Sequence, residues 1–192
     1  IGYQALTAIT TGATGLTAIG YNCLTAVTSG TALCAVGYAA GSAATTSANS
    51  TFIGYQAGLN CTGNNNTFLG CNAGSGAVGS ADNTMIGYGT TCAATGGSNT
   101  IVGSSSLTSA AVDRNCVLGA NNSIGHSNCV VLGTTITTAA ANRLYLGSAA
   151  QALGTATSIG AAGGATALPA TPTTYLIAYV NGTQYKIPLY NP

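Results

Sequence analysis

Residues 1–147 repeat one short hydrophobic phrase ten times: a small or apolar residue, a branched aliphatic, then glycine. The glycines are Gly2, Gly20, Gly37, Gly54, Gly70, Gly87, Gly103, Gly119, Gly133 and Gly147, spaced 18, 17, 17, 16, 17, 16, 16, 14 and 14 residues apart. That period is too short for a pair of helices. It suits one turn of a β-solenoid, where each coil buries its apolar side by stacking on the next. The pattern predicts an all-β chain whose residues 1–147 form a parallel β-roll of about ten rungs, each 14 to 18 residues long.

Aligning the rungs on their glycine gives columns. The position before it holds Ile1, Ile19, Val36, Ile53, Leu69, Ile86, Val102, Leu118, Leu132 and Leu146, an unbroken aliphatic column. Three positions before it stand Thr17, Cys34, Thr51, Thr67, Thr84, Thr100, Cys116, Val130 and Leu144. In an extended strand these two columns point the same way. Between them lie Ala18, Ala35, Phe52, Phe68, Met85, Ile101, Val117, Val131 and Tyr145, again apolar. Both faces of the strand are therefore expected to be buried, one inside the roll and one against further chains.

Glycine falls where the strand must turn. A tyrosine often follows: Tyr3, Tyr21, Tyr38, Tyr55 and Tyr88, with Cys71 interrupting the row. A second short strand is expected next, as in residues 5–8, 23–26 and 107–110. The loop after it carries most of the length variation, as in residues 60–66, and its Asn residues can stack as hydrogen-bonded ladders. Shortening to 14 residues after Gly119 is expected to remove loop and spare strand.

The phrase ends at Gly147. Residues 148–173, rich in Ala, Gly, Thr and Pro, read as a transition segment. Residues 174–192 place Asn181-Gly182 between two β-rich runs, the strongest short-range hairpin signal, and predict a C-terminal hairpin that caps the last coil. The chain opens at Ile1 inside a rung phrase and without an initiator Met, so further rungs are expected upstream.

Charge is nearly absent. Asp82, Asp113, Arg114, Arg143 and Lys186 are the only formally charged residues, the net charge is +1, and His126 is the one histidine. General acid/base catalysis has little material, and there is no basic footprint for nucleic acid. No apolar run free of Thr, Asn and Gly is long enough to span a bilayer, and no signal-peptide pattern is visible. No catalytic, cofactor-binding or metal residue is assigned.

The phrases Asn66-Thr67-Phe68-Leu69-Gly70, Asn83-Thr84-Met85-Ile86-Gly87 and Asn99-Thr100-Ile101-Val102-Gly103 resemble the head repeat of trimeric autotransporter adhesins. The resemblance covers residues 1–147 and implies a left-handed, trimeric parallel β-roll. Two departures stand out: rungs of 16 to 18 residues are long, and that family's coiled-coil stalk and membrane-anchor barrel have no counterpart in these residues. Gly54-Tyr55-Gln56-Ala57 and the segment 181–188 are similar to fibre proteins of tailed phages and large DNA viruses. Neither resemblance carries a catalytic residue.

The seven cysteines contain no CxxC pair and no zinc spacing. Cys34 and Cys116 replace Thr in a strand column and read as small buried side chains, whereas loop residue Cys61 reads as the exposed thiol. Gly74-Ser75-Gly76-Ala77-Val78-Gly79 matches GxGxxG, but another rung follows it and no helix does. The Ile-Gly-x-x-Ala phrase also occurs in left-handed β-helix acyltransferases, which need it three times per coil; here it appears once. His126 reads as a loop residue facing solvent, and nothing places it in a triad with Asp113 and a serine. The tyrosine row reads first as packing and second as a sugar-binding strip. Sequons stand at Asn49, Asn60, Asn65, Asn121 and Asn181.

The expectation is a non-enzymatic, homotrimeric fibre or spike on a virion surface, part of a larger assembly, with a host receptor or glycan as the partner it would attach to. No cofactor, nucleic acid or membrane insertion is expected. Two alternatives remain: a bacterial adhesin head on a cell surface and, more remotely, a secreted ice-binding solenoid. The Thr column argues against the latter because it shares a strand face with the aliphatic column.

Overall fold

The computed structural model describes residues 1–10, 12–92, 95–108, 111–148, 174–180 and 183–189. The chain forms two compact units, Ile1–Leu153 and Gly154–Pro192. The first contains β1 (Thr17–Ile19), β2 (Thr31–Val36), β3 (Ala48–Ile53), β4 (Thr67–Leu69), β5 (Thr84–Ile86), β6 (Thr100–Val102), β7 (Leu107–Thr108), β8 (Cys116–Leu118), β9 (Ser123–Ile124), β10 (Val130–Thr134) and β11 (Leu144–Ser148). Nine of these, all but β7 and β9, stack as one parallel sheet in chain order. The described residues contain no helix, and the unit is a parallel β-solenoid.

The register of that sheet is the column alignment of the sequence. Thr51 pairs with Thr67, Phe68 with Met85, Val102 with Leu118 and Gly133 with Gly147. Strands survive the shortening after Gly119, since β8, β10 and β11 remain in step.

One column fills the roll. Ala18, Ala35, Phe52, Phe68, Met85, Ile101, Val117 and Val131 are all buried, and the Phe52 and Phe68 rings lie 5.6 Å apart at 34°. The opposite wall contributes Cys23, Leu24, Ala40, Ala57, Ala73 and Ile124 to the same core. The aliphatic column is not inside: Ile53 is 37% exposed and Leu118 55%. Within one chain the strand thus buries one face and shows the other to solvent, and the expectation that both are covered is not met by the roll itself.

The second wall corrects the sequence reading. Residues 5–8 and 23–26 are turns, and extended structure appears there only in the later coils, as the β7·β9 pair and the bridges Thr91↔Leu107 and Ser123↔Thr137. The cause is the backbone of the early coils. Two and four residues past the rung glycine the chain enters the left-handed region, at Asn22 and Leu24, Ala39 and Gly41, Gln56 and Gly58, Asn72 and Gly74. Alternating hands coil the segment into successive turns, yet alternate N–H groups still reach the next coil, as Leu24 N–H to Ala40 O (3.1 Å) and Gly58 N–H to Ala73 O (2.8 Å).

Two corners hold each coil. The rung glycines from Gly2 to Gly133 have φ between +129° and +148°, and a Cβ on Gly54 would collide with the Gly70 carbonyl oxygen. Glycine is required there twice over, by dihedral and by close approach. Five residues before each rung glycine the chain is left-handed again, at Gly15, Ala32, Asn49, Asn65, Asp82, Ser98, Arg114, Asn128 and Asn142. Asn and Asp tolerate that conformation better than other residues with a side chain.

The second unit shows β12 (Thr174–Val180) and β13 (Thr183–Leu189) paired antiparallel, with Val180 opposite Thr183 and Thr174 opposite Leu189. This is the expected hairpin pairing. The Asn181-Gly182 turn and the transition segment beyond Ser148 lie outside the described residues.

Candidate interaction face

Two columns of the nine-stranded sheet, and a third beyond its glycine corner, face solvent. The threonine column is led by Thr17, Thr51, Thr67, Thr84 and Thr100, the aliphatic column runs beside it, and the tyrosine column stands just past the glycine corner. Ile19, Ile53, Leu69, Leu118, Leu132 and Leu146 are exposed, as are Tyr3, Tyr21, Tyr38, Tyr55 and Tyr88. Towards the last coils Thr gives way to Val130 and Leu144, so both outward strand positions become aliphatic. The Thr column therefore faces solvent together with its aliphatic neighbour, in a mixed array that Cys34 and Cys116 interrupt.

Polar side chains hold the sheet from its buried edge. Asn66, Asn83, Asn99 and Asn115 are buried one above another. The Oδ1 of Asn66 accepts from the Asn83 backbone N–H (3.0 Å) and side chain (3.3 Å), Asn83 Oδ1 accepts likewise from Asn99 (3.0 and 3.1 Å), and Asn99 Oδ1 from Asn115 (3.1 and 3.0 Å). Asn115 Oδ1 ends the series on the Cys129 N–H at 2.8 Å. The amide nitrogens of Asn66, Asn83 and Asn99 also donate into a neighbouring loop, as Asn66 to Ser80 O, Asn83 to Gly96 O and Asn99 to Val112 O. The ladder expected from the loop composition is present, and it lies in the interior just before the strand. A shorter second column joins Ser106, Asn122 and the Ile136 N–H.

The candidate chemical groups are dispersed. Asp113 Oδ1 accepts from the Gly97 N–H at 2.8 Å, while His126 Nδ1 meets the Thr138 carbonyl at 3.0 Å, and no hydrogen bond joins Asp113 to His126. His126 is half-buried against that coil, not a free loop histidine. The glycine-rich stretch spends its amides inside the solenoid: Gly74 N–H on Thr90 O, Ala77 N–H on Gly74 O and Gly79 N–H on the Thr62 hydroxyl. Among the described residues no cluster of three or more His, Cys, Asp or Glu is placed to hold a metal.

Cysteine exposure is the reverse of the sequence expectation. Cys61 is fully buried, because its loop folds inward as the core's far wall, and the Asn66 amide donates to its sulfur at 3.3 Å. Burial pushes the Cys61 thiol up from 9.0 to about 11 and raises those of Cys23 and Cys92 as well. Cys116 is exposed and Cys34 half-buried, since their strand column faces out. All seven are free thiols. The sequon residues Asn49, Asn60, Asn65 and Asn121 are exposed, and Asn181 lies outside the described residues.

The fold and these columns define a repeat solenoid with an exposed threonine and aliphatic sheet face and a row of exposed tyrosines beyond its glycine corner. No protein family, curated protein or solved structure matches the chain.

Proposed function

We propose that the chain is a non-enzymatic structural segment of a homotrimeric fibre or spike on a virion surface. The observation that carries this is the outward aliphatic column, continuous over nine coils. Nine strands at ~4.8 Å and a single outward column about two residues wide give an aliphatic stripe of roughly 300 Å² beside the threonine column. Its continuity, with an exposed or half-buried aliphatic side chain in every coil, is what supports an interaction surface. Charge-free and in register from coil to coil, it suits a second copy of itself lying parallel. Association would bury the aliphatic column of each copy, which is the partner the doubly apolar strand asks for. The resemblance to adhesin heads supports three as the number of copies, and the Gly-Tyr-x-Ala rungs with the 181–188 segment favour a virion over a bacterial cell. A stiff repeat presents each loop in several copies, so weak contacts with a receptor or glycan gain avidity.

Two measurements test the reading. Sedimentation of the purified chain is expected to give a stable trimer; a soluble monomer at micromolar concentration would refute the assembly. Immunogold labelling is expected to decorate particles, while label on a bacterial envelope would select the adhesin-head alternative. Label confined to the cytosol would refute both.

A further inference from the structure

The tyrosine column lacks one ring in an otherwise regular stack. Tyr3, Tyr21, Tyr38 and Tyr55 lie face to face, with centroids 5.5, 5.3 and 5.2 Å apart and planes within 16° of parallel. The next coil supplies Cys71 at the same position, and the coil after that supplies Tyr88. Two tyrosines therefore occupy the column two coils apart with a half-buried thiol at the position between them. Exposure rises along the row: Tyr21 and Tyr38, covered on both faces, are 42% and 45% exposed, Tyr55, covered on one, is 49% exposed, and Tyr88, which stacks on no ring among the described residues, is 61% exposed.

We propose that the slot between Tyr55 and Tyr88, floored by Cys71, binds one planar aromatic ring. Two coil steps separate its walls by about 10 Å, so a ring at the midpoint lies about 5 Å from each, within the range of stacked aromatic pairs. The molecule shows this fit itself, since Tyr21 occupies the equivalent place between Tyr3 and Tyr38. The backbone that carries the walls is tied before any ligand arrives: Asn72 N–H donates to Tyr55 O (2.8 Å) and Gly89 N–H to Cys71 O (2.9 Å), and the Tyr55 ring is held by its stack on Tyr38, so the ordering cost of binding falls on the Tyr88 side chain.

The same geometry selects the ligand. A pyranose needs a bare aromatic face, and the faces of Tyr21 and Tyr38 are already occupied, so the row is not a sugar strip along its length. Within the slot both walls offer electron-rich phenol faces, and the polarizable sulfur lies beneath. Such walls favour a flat, electron-poor or cationic heteroaromatic ring over a neutral electron-rich one. The proposal is independent of the assembly proposed above.

Titrating 1-methylquinolinium into the full chain, in its native oligomeric state, with the probe's fluorescence as readout, tests this. One saturable site per chain is expected. Cys71→Tyr supplies the missing ring and is expected to abolish the site while strengthening the near-ultraviolet tyrosine dichroism of a closed ladder. Tyr88→Ala keeps the fold, removes one wall and is expected to weaken binding about fivefold. Tyr3→Ala, at the far end of the stack, is expected to bind as the unaltered chain does. No saturable binding to the unaltered chain, or binding undiminished by both Cys71→Tyr and Tyr88→Ala, overturns the proposal.

Discussion

Single side chains in this protein matter according to whether they sit in a ladder. Asn83 is buried, and its Oδ1 is the acceptor for two groups of Asn99 while its amide donates to Asn66 Oδ1, Ala81 O and Gly96 O. Asn83→Ala strips partners from several buried groups at once, and an unsatisfied buried polar group costs ~1–3 kcal/mol. A loss of about 2–4 kcal/mol in urea unfolding is expected. Asn64 is exposed and uses its Oδ1 to accept the Ala48 N–H, a bond that aspartate keeps. Asn64→Asp is therefore expected to change stability by less than about 0.5 kcal/mol. Equal shifts from the two substitutions would show that the interior ladder does not hold the coils.

Cys61 makes a pH prediction at the same scale. Its folded pKa is raised by burial to about 11, above the ordinary 9.0, so the folded state holds its proton longer than the unfolded chain does. For a thiol the proton-bearing form is neutral, so folding is undisturbed below pH 9 and loses stability as pH rises from about 9 to 11. Cys61→Ala should flatten that decline in a stability-versus-pH series. Alkylation followed by peptide mapping should also leave Cys61 and Cys92 unmodified at pH 8 until the chain unfolds.

Elements follow from how the columns divide between core and solvent. Phe68 fills the roll beside Phe52, and Gly74 lies so close that a Cβ there would strike the Phe68 ring. Phe68→Ala is expected to cost about 3–5 kcal/mol, because a cavity opens in a core only one column wide. Gly54→Ala should fold poorly or not at all, since its Cβ meets the backbone of the next coil and no side chain can yield. Circular dichroism with thermal melting checks both.

The strand positions, the rung glycines and the parallel register were legible because each is a strict column, and a column in sequence is a column in space once coils stack. The second wall was not. Its apolar residues, as in Cys23-Leu24-Thr25-Ala26, look like a strand, but the left-handed residues Asn22 and Leu24 fold them into turns. Leu24 carries no sign of that conformation. Gly41, Gly58 and Gly74 in the equivalent place do, as do the Asn and Asp residues of the opposite corner. The tyrosine row could be read as a row, but not that its faces are stacked on one another. Cys61 was misplaced for a related reason: a polar loop that turns inward hides its one apolar residue.

At the scale of the whole molecule, the aliphatic column decides whether the solenoid works alone. Ile53 is 37% exposed in the single chain, so Ile53→Asp is expected to leave the roll folded, with circular dichroism unchanged. If copies associate through this face, three carboxylates would be brought into an apolar seam without partners, and a buried unpaired charge is too costly for the seam to survive. Sedimentation should then show folded monomer where the unaltered chain gives trimer. The effect should grade along the shaft. Near the last coils both outward strand positions are aliphatic, with Val130 and Leu132 in one coil and Leu144 and Leu146 in the next, whereas Thr67 accompanies Leu69 earlier. Apolar area per coil is greatest there, so Leu132→Asp should dissociate the assembly at a higher protein concentration than Leu69→Asp does. An equal effect from both would place the seam evenly along the shaft. Unchanged sedimentation of every one of these variants would mean that copies meet on another surface and that the aliphatic column faces a different partner.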